Sequence, residues 1–337
     1  MSYALEEGIA HALLERGPRC RDLFGPTWRR HSRVHMASQG NQSAGKSAVA
    51  LDLCETYDAA IVSADSRQIY RDFDIGTAKP TGEERARVTH YGVDVARPDE
   101  RFSAARWASE ADEWVACASK MGKEAVIVGG TGLYIKALVD PLFSAPAVDP
   151  LQRAELASEL ETKSLTELRR WCEGLDPARA HLGRTQLVRA IETALLSGSR
   201  ISALHAEHKA ATAIEAQDEK AAYLVVDPGS GLGSRIETRV DRMLEAGWAD
   251  EVRELKRSVP PDAPAWKASG YSVMREHVEG RLDLSSARQR IIIETRQYAK
   301  RQRTWLRHQL PPAAVTVVNP EDSQARAVVR EWWEGAE

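Results

Sequence analysis

Apolar positions along the chain switch between two spacings. Ala59-Ala60-Ile61-Val62-Ser63 and Ala125-Val126-Ile127-Val128 are short continuous apolar runs, which read as strands buried on both faces. Residues from Ser47 to about Tyr57, 101–120 (with Ser103 near the start) and Leu133 to Leu138 have helical spacing instead. From 150 to 215 the chain is rich in Leu, Ala, Glu and Arg, keeps helical spacing and holds no convincing strand. Ala222 to Asp227 returns to strand. The pattern then predicts one long amphipathic helix over 234–257 and another over 284–309. A final strand at Val315 to Val318 and a closing helix through Trp332 and Trp333 complete the chain. Strands alternating with helices predict a parallel α/β sheet flanked by helices. The expected organisation is a core from 35–145 and 221–337, an all-helical insertion over 146–220, and a poorly ordered extension over 1–34. Met36 could itself begin a chain.

Composition narrows the class. Of 337 residues, 43% are hydrophobic, 28% charged and 6% aromatic, which supports a sizeable core and excludes global disorder. No apolar run is long enough to span a membrane, and no basic-then-apolar leader pattern opens the chain. The net charge of −3 does not by itself point to nucleic acid. Cys20, Cys54, Cys117 and Cys172 are too far apart in sequence for a zinc knuckle or a redox pair, so a reducing, cytoplasmic setting is expected.

The first candidate chemistry lies at Gly40-Asn41-Gln42-Ser43-Ala44-Gly45-Lys46-Ser47, which fits the phosphate-loop pattern usually associated with ATP. Glycines let backbone N–H groups converge on an anion, and the following helix adds its positive end. Lys46 would reach outer phosphates, and the Ser47 hydroxyl could ligate Mg²⁺. The segment before it, Ser32 to Ser38, is thin in β-branched residues for the strand that should precede such a loop.

Asp65 lies just past the first apolar strand, where a parallel sheet faces its ligand. It is a candidate proton acceptor; the alternative is an ordinary helix N-cap. Gly129-Gly130-Thr131-Gly132 ends the other strand. It could bring Thr131 to the same phosphates, or be a tight turn. Arg288, Arg290, Arg296, Lys300, Arg301, Arg303 and Arg307, interleaved with Tyr298 and Trp305, make a face that could track a phosphate backbone or stand solvated. Arg235, Arg239 and Arg242 share a stretch that could turn toward a diphosphate.

These strings, together with Asp74-Ile75-Gly76-Thr77-Ala78-Lys79-Pro80, Gly270-Tyr271 and Thr295 to Gln302, occur in one order. Across roughly 38–310 the chain resembles the bacterial tRNA dimethylallyltransferases. The resemblance implies a phosphate-loop NTPase-like core carrying a helical tRNA-binding insertion. It implies transfer of the dimethylallyl group of dimethylallyl diphosphate to an adenosine of tRNA, with diphosphate leaving. The acceptor would be the exocyclic amine of the adenosine 3′-adjacent to the anticodon, in tRNAs reading codons that start with U. The target base would be flipped from the anticodon loop.

By the same resemblance Asp65 is the general base, with Thr131 and Ser47 catalytic and Ser47 also on magnesium. Gly40, Gln42, Ser43, Ala44, Gly45, Lys46, Ser47 and Arg239 hold diphosphate. Asp65, Ser66, Arg67, Gln68, Thr131, Arg153, Thr185, Gln186, Leu187, Val188 and Arg189 contact the tRNA anticodon stem-loop. A monomer without membrane contact is expected. Two other enzymes remain as alternatives, an adenylate isopentenyltransferase acting on free nucleotides and a phosphate-loop small-molecule kinase. A non-catalytic RNA-binding relic is the fourth reading.

Overall fold

The computed structural model describes residues 35–38, 45–139, 148–207 and 222–335. The expected extension over 1–34 and most of the phosphate loop, 39–44, lie outside the described residues, so the placements expected for Gly40, Gln42, Ser43 and Ala44 do too. The chain divides into two compact units, 1–139 with 220–337, and 140–219.

The first unit is built on six strands: β1 (His35–Ser38), β2 (Ala60–Ala64), β3 (His90–Tyr91), β4 (Ala125–Gly129), β5 (Tyr223–Val226) and β6 (Val315–Val318). All pair in parallel, in the order β3-β2-β4-β1-β5-β6. β1 is central: Met36 faces Val128 on one side and Leu224 on the other. A strand with little β-branched character is held there by backbone ladders on both edges.

The helices of this unit are α1 (Lys46–Thr56), α2 (Gly82–Arg87), α3 (Ala104–Lys120) and α4 (Gly132–Val139). Those of the second unit follow, α5 (Pro150–Glu161), α6 (Leu165–Leu175) and α7 (Arg184–Ser197). The first unit then resumes with α8 (Leu232–Glu245), α9 (Trp248–Ser258), α10 (Tyr271–Val278), α11 (Leu284–Gln309) and α12 (Ala325–Glu334). One core joins Ala50, Leu53 and Cys54 of α1 to Val126, Leu224 and Val318 of the sheet and to Val329, Trp332 and Trp333 of α12. Ser103 caps α3, accepting from Arg106 N at 3.1 Å. The indole of Trp107 donates to the Ser63 carbonyl at 2.9 Å, which ties α3 to β2.

The single helix expected over 234–257 is two. Gly247 has φ of 90° and opens α9 directly after α8 ends. A left-handed glycine lets the chain turn and sink Trp248, which is 1% exposed and packs edge-on to Tyr271.

The second unit has its own core of Leu160, Leu168, Cys172, Leu187, Ala190, Ile191 and Ile201. Ser164 and Glu167 form a capping box at the start of α6. Arg184 donates to the carbonyls of Leu160, Glu161 and Lys163 at the end of α5, at 2.9, 2.9 and 2.7 Å. Carbonyls at a helix end lack the usual i+4 partner; Leu160 O also accepts from Lys163 N at 3.3 Å, and the guanidinium adds to this while complementing the helix dipole.

Candidate active site

Parallel pairing puts the carboxyl ends of β2, β4 and β1 side by side, and each leads into one of the segments singled out from sequence. Asp65 follows β2, Gly130 to Gly132 follow β4, and the phosphate loop follows β1. The first two are stitched together directly. Thr131 N donates to the Ala64 carbonyl at 3.1 Å, and Thr131 Oγ1 accepts from Ser66 N at 3.0 Å. Asp65 Oδ1 accepts from Arg67 N at 2.9 Å, closing a turn. Residues 66–69 form turns and no helix, so Asp65 is not a helix cap.

Gly45, with φ of 87°, opens α1 with no side-chain cap, and the first N–H groups of an α-helix have no partner within the helix. Lys46 is buried and Ser47 exposed. Burial pulls the Lys46 ammonium down to about 8; Asp65 nearby opposes that, and the Arg239 charge adds to it. Arg239 is likewise lowered by burial, to about 10, with Asp65 again opposing. Lys46, Asp65 and Arg239 thus share one electrostatic neighbourhood of two cations and one carboxylate. Of the arginines in the 235–242 stretch, Arg239 is the one whose charge acts on Lys46 and meets Asp65.

Three residues missed by sequence reading as a group fasten the glycine turn. Tyr298, Gln302 and Trp305 are spaced one turn apart on one face of α11. Tyr298 lies beside the Thr131 side chain, and burial, then Asp65, pushes its hydroxyl up to about 12. Gln302 Nε2 donates to the Gly130 carbonyl. A Cβ on Gly130 would overlap Gln302, and one on Gly132 would overlap the Trp305 indole. The legible signal was the four- and three-residue spacing of these side chains in a segment otherwise read only for its charge.

That charge is largely spent inside the molecule. Arg288 pairs with Asp241, Arg290 with Glu276 and Glu294, Arg296 with Glu237, and Arg303 with Asp227. Four of these five pairs fasten α11 to its neighbours and the fifth, Arg290 with Glu294, lies within the helix, so these four arginines do not form a continuous open basic face.

The motif residues 74–80 are also architectural. Lys79 Nζ donates to Tyr70 O, Asp74 Oδ1 and Asp94 Oδ1 at 2.5–2.6 Å. Glu251 accepts from Asp74 N, Ile75 N and the Tyr271 hydroxyl, and Tyr271 in turn accepts from Gly76 N. Burial raises the Glu251 carboxyl. Gln68 is buried, accepts from Ser63 Oγ and donates to the Ala78 carbonyl, so its side chain closes the loop and is not presented to a partner. Ser66 and Arg67 are half-buried.

In the second unit Arg153 pairs with Glu192 at 3.2 Å. Thr185, Gln186 and Arg189 are exposed on α7. Leu187 is fully buried and Val188 packs on the same core. Their expected contacts with tRNA are corrected to that extent, since helical periodicity turns these two side chains inward.

Among the described residues no group of three or more His, Cys, Asp or Glu could hold a metal ion. No helix among them is long and apolar enough to cross a membrane. A cation here would have to be held mainly by ligand oxygens, with the exposed Ser47 hydroxyl added, which is the usual manner of Mg²⁺ on phosphates.

Fold and site together define a phosphate-loop-like α/β architecture carrying a helical insertion, with the Asp65 carboxylate in electrostatic reach of Lys46 at the start of α1. The defining pattern of the IPP transferase family matches residues 68–309, and the chain belongs to that family. It is 42% identical to a tRNA dimethylallyltransferase of Gloeobacter violaceus over 275 residues, covering 80% of this chain and 87% of the relative. It is 40% identical to one from Geobacter metallireducens over 277 residues, covering 80% and 88%. A tRNA isopentenylpyrophosphate transferase structure from Bacillus halodurans superposes with a TM-score of 0.63 at 27% identity, over 90% of this chain and 96% of that one. A eukaryotic dimethylallyltransferase acting on tRNA shares the fold at 20% identity, with a TM-score of 0.73 over 90% of this chain and 80% of that one.

Proposed function

We propose that the protein transfers the dimethylallyl group of dimethylallyl diphosphate to the exocyclic amine of the adenosine 3′-adjacent to the anticodon, in tRNAs reading codons that start with U. The observation that carries this reading is the shared neighbourhood of Lys46, Asp65 and Arg239 at the opening of α1. An allylic diphosphate ionises when its departing charge is stabilised, and preorganised donors do this without covalent catalysis. The N–H groups at the start of α1, the Lys46 ammonium and the Arg239 guanidinium bind and orient the diphosphate. Ser47 would add its hydroxyl to a Mg²⁺ ion, which supplies further neutralisation of phosphate charge when bound.

Asp65 takes the proton that the adenine amine must lose as it attacks the allylic carbon. The carbon–oxygen bond to diphosphate breaks and the carbon–nitrogen bond forms. Thr131, held by Ser66 with Tyr298 beside it, orients the groups around that carboxylate. Ser66 and Arg67 flank Asp65 and meet the RNA from the core. Arg153, Thr185, Gln186 and Arg189 meet it from the helical unit. The five side chains Lys46, Ser47, Asp65, Thr131 and Arg239 come from one compact unit of one chain, which supports action as a monomer; tRNA as substrate supports a cytoplasmic setting.

The test incubates tRNA with the enzyme, Mg²⁺ and dimethylallyl diphosphate, and reads anticodon-loop nucleosides by mass spectrometry. A prenylated adenosine is expected at that single position. Parallel arms with AMP, or with ATP and a small-molecule acceptor, should give no product. Product from AMP alone would replace this reading with a free-nucleotide transferase.

A further inference from the structure

Gly45 marks a place where positive charge accumulates beyond what the site above uses. A Cβ on Gly45 would lie 3.0 Å from Arg235 Nη1 and 3.3 Å from Pro320 Cγ. Arg235 stands one turn before Arg239 on α8, so its guanidinium sits at the N-terminus of α1, next to the buried Lys46. That end of a helix is positive and disfavours a cation unless an anion accompanies it. The accompanying anion is Glu321, whose Oε1 accepts from Arg235 Nε at 2.8 Å. Glu321 comes from the turn after β6, where its N–H donates to Asn319 Oδ1 at 3.1 Å. It lies beyond the residues 68–309 that match the family pattern. Both side chains keep access to solvent, at 32% for Arg235 and 51% for Glu321.

We propose that Arg235 is a second diphosphate-binding arginine of this site, and that Glu321 is its internal competitor, holding the guanidinium until the isoprenoid diphosphate displaces it. The proposal rests on the reading that the cradle at α1 receives that diphosphate. An arginine presents five donors in a planar fork suited to phosphate oxygens. A carboxylate engages that fork with a single negative charge. A diphosphate brings more charge and is also met by Lys46 and the helix N–H groups, so the exchange runs toward the ligand. Glu321 then supplies the anion that makes the empty cradle tolerable and weakens binding by the strength of its own pair.

The experiment measures binding of inorganic diphosphate with Mg²⁺ to the full-length protein by calorimetry at low salt, with thermal melts confirming each variant is folded. Arg235→Gln is expected to weaken binding about tenfold or more, the loss of a charged hydrogen-bonding partner. Arg235→Lys, which keeps charge without the fork, should fall between. Glu321→Gln is expected to tighten binding about threefold, the scale of an exposed ion pair, and to have no effect once Arg235 is Gln. Weaker binding in Glu321→Gln overturns the competitor role, because it means the carboxylate only positions Arg235. Unchanged affinity in Arg235→Gln overturns the binding role. A Lys46→Ala arm separates the two levels. If Lys46→Ala abolishes binding while Arg235→Gln does not alter it, only this inference fails. If neither variant matters, the diphosphate reading of the cradle fails with it.

Discussion

Gln302 Nε2 donates to the Gly130 carbonyl at 2.6 Å, and this bond fixes the register of helix α11 against the turn that carries Thr131. Tyr298 one turn earlier and Trp305 one turn later meet Thr131 and Gly132. Gly130 and Gly132 are glycines because α11 occupies their Cβ positions, and Ala64 of β2 does the same at Gly129.

Gly132→Ala should therefore be destabilising by about 1–3 kcal/mol, the usual cost of forcing atoms into a packed contact. Trp305→Ala opens the space the methyl needs. In the double variant the two losses should sum to more than the measured loss, a coupling read from denaturant midpoints. Strict additivity would mean that Trp305 does not set the glycine requirement.

Asp65→Asn keeps the side chain's volume and one acceptor oxygen, so the turn closed by Arg67 N survives. It removes the proton acceptor. Single-turnover prenyl transfer should fall by about 10²-fold or more, while tRNA affinity measured by filter binding stays within twofold or so of wild type. Undiminished turnover would remove Asp65 from the chemistry.

The central position of β1 was not legible from its composition, because His35 to Ser38 has little intrinsic strand character and is held by pairing with β4 and β5. The clustering of Asp65 and Thr131 at neighbouring strand ends, with Lys46 in electrostatic reach, was legible, because those strand ends carry the glycine, lysine and acidic strings. The roles of Lys79, Glu251 and Tyr271 were not. Lys79 and Tyr271 stand in motif strings and Glu251 in none, yet Glu251 and Tyr271 join the 74–80 segment in a hydrogen-bond network whose partners are far apart in sequence. The break at Gly247 was written in the sequence as a glycine within an amphipathic run, and the apolar spacing on either side concealed it.

Tyr271→Phe tests that network. Losing the hydroxyl leaves Gly76 N and one Glu251 oxygen without their partner. A loss of about 1–3 kcal/mol is expected from a buried group left unsatisfied, read as a lowered thermal midpoint. Tyr271 does not touch the Asp65 neighbourhood, so kcat of the folded fraction should hold.

The depressed Lys46 fixes the sign of a pH effect. Its charge is present below about 8 and is lost above, when the cradle is empty. Diphosphate favours the charged form, so binding at alkaline pH takes up a proton. KM for dimethylallyl diphosphate should be flat below pH 8 and rise above it, by at most about tenfold per pH unit. In Lys46→Arg, whose charge persists, the alkaline rise should disappear even if turnover is lower. A wild-type KM that stays level to pH 9.5 or so would show that Lys46 remains charged in the empty site.

Helix α7 separates binding from folding within one short stretch. Arg189 is exposed, whereas Leu187, two residues earlier, is at the centre of the second unit's core. If the exposed face meets an RNA backbone, Arg189→Ala removes about one phosphate contact. Affinity for an anticodon stem-loop then falls and the slope of log K against log salt shrinks by roughly 0.7–0.9. Its thermal midpoint should stay where it was. Leu187→Ala does the reverse, costing about 2–5 kcal/mol of stability through the cavity it leaves, with the salt slope of the folded protein unchanged. An unaltered salt slope in Arg189→Ala would assign this face to solvent, and the grip on RNA would then have to come from other residues.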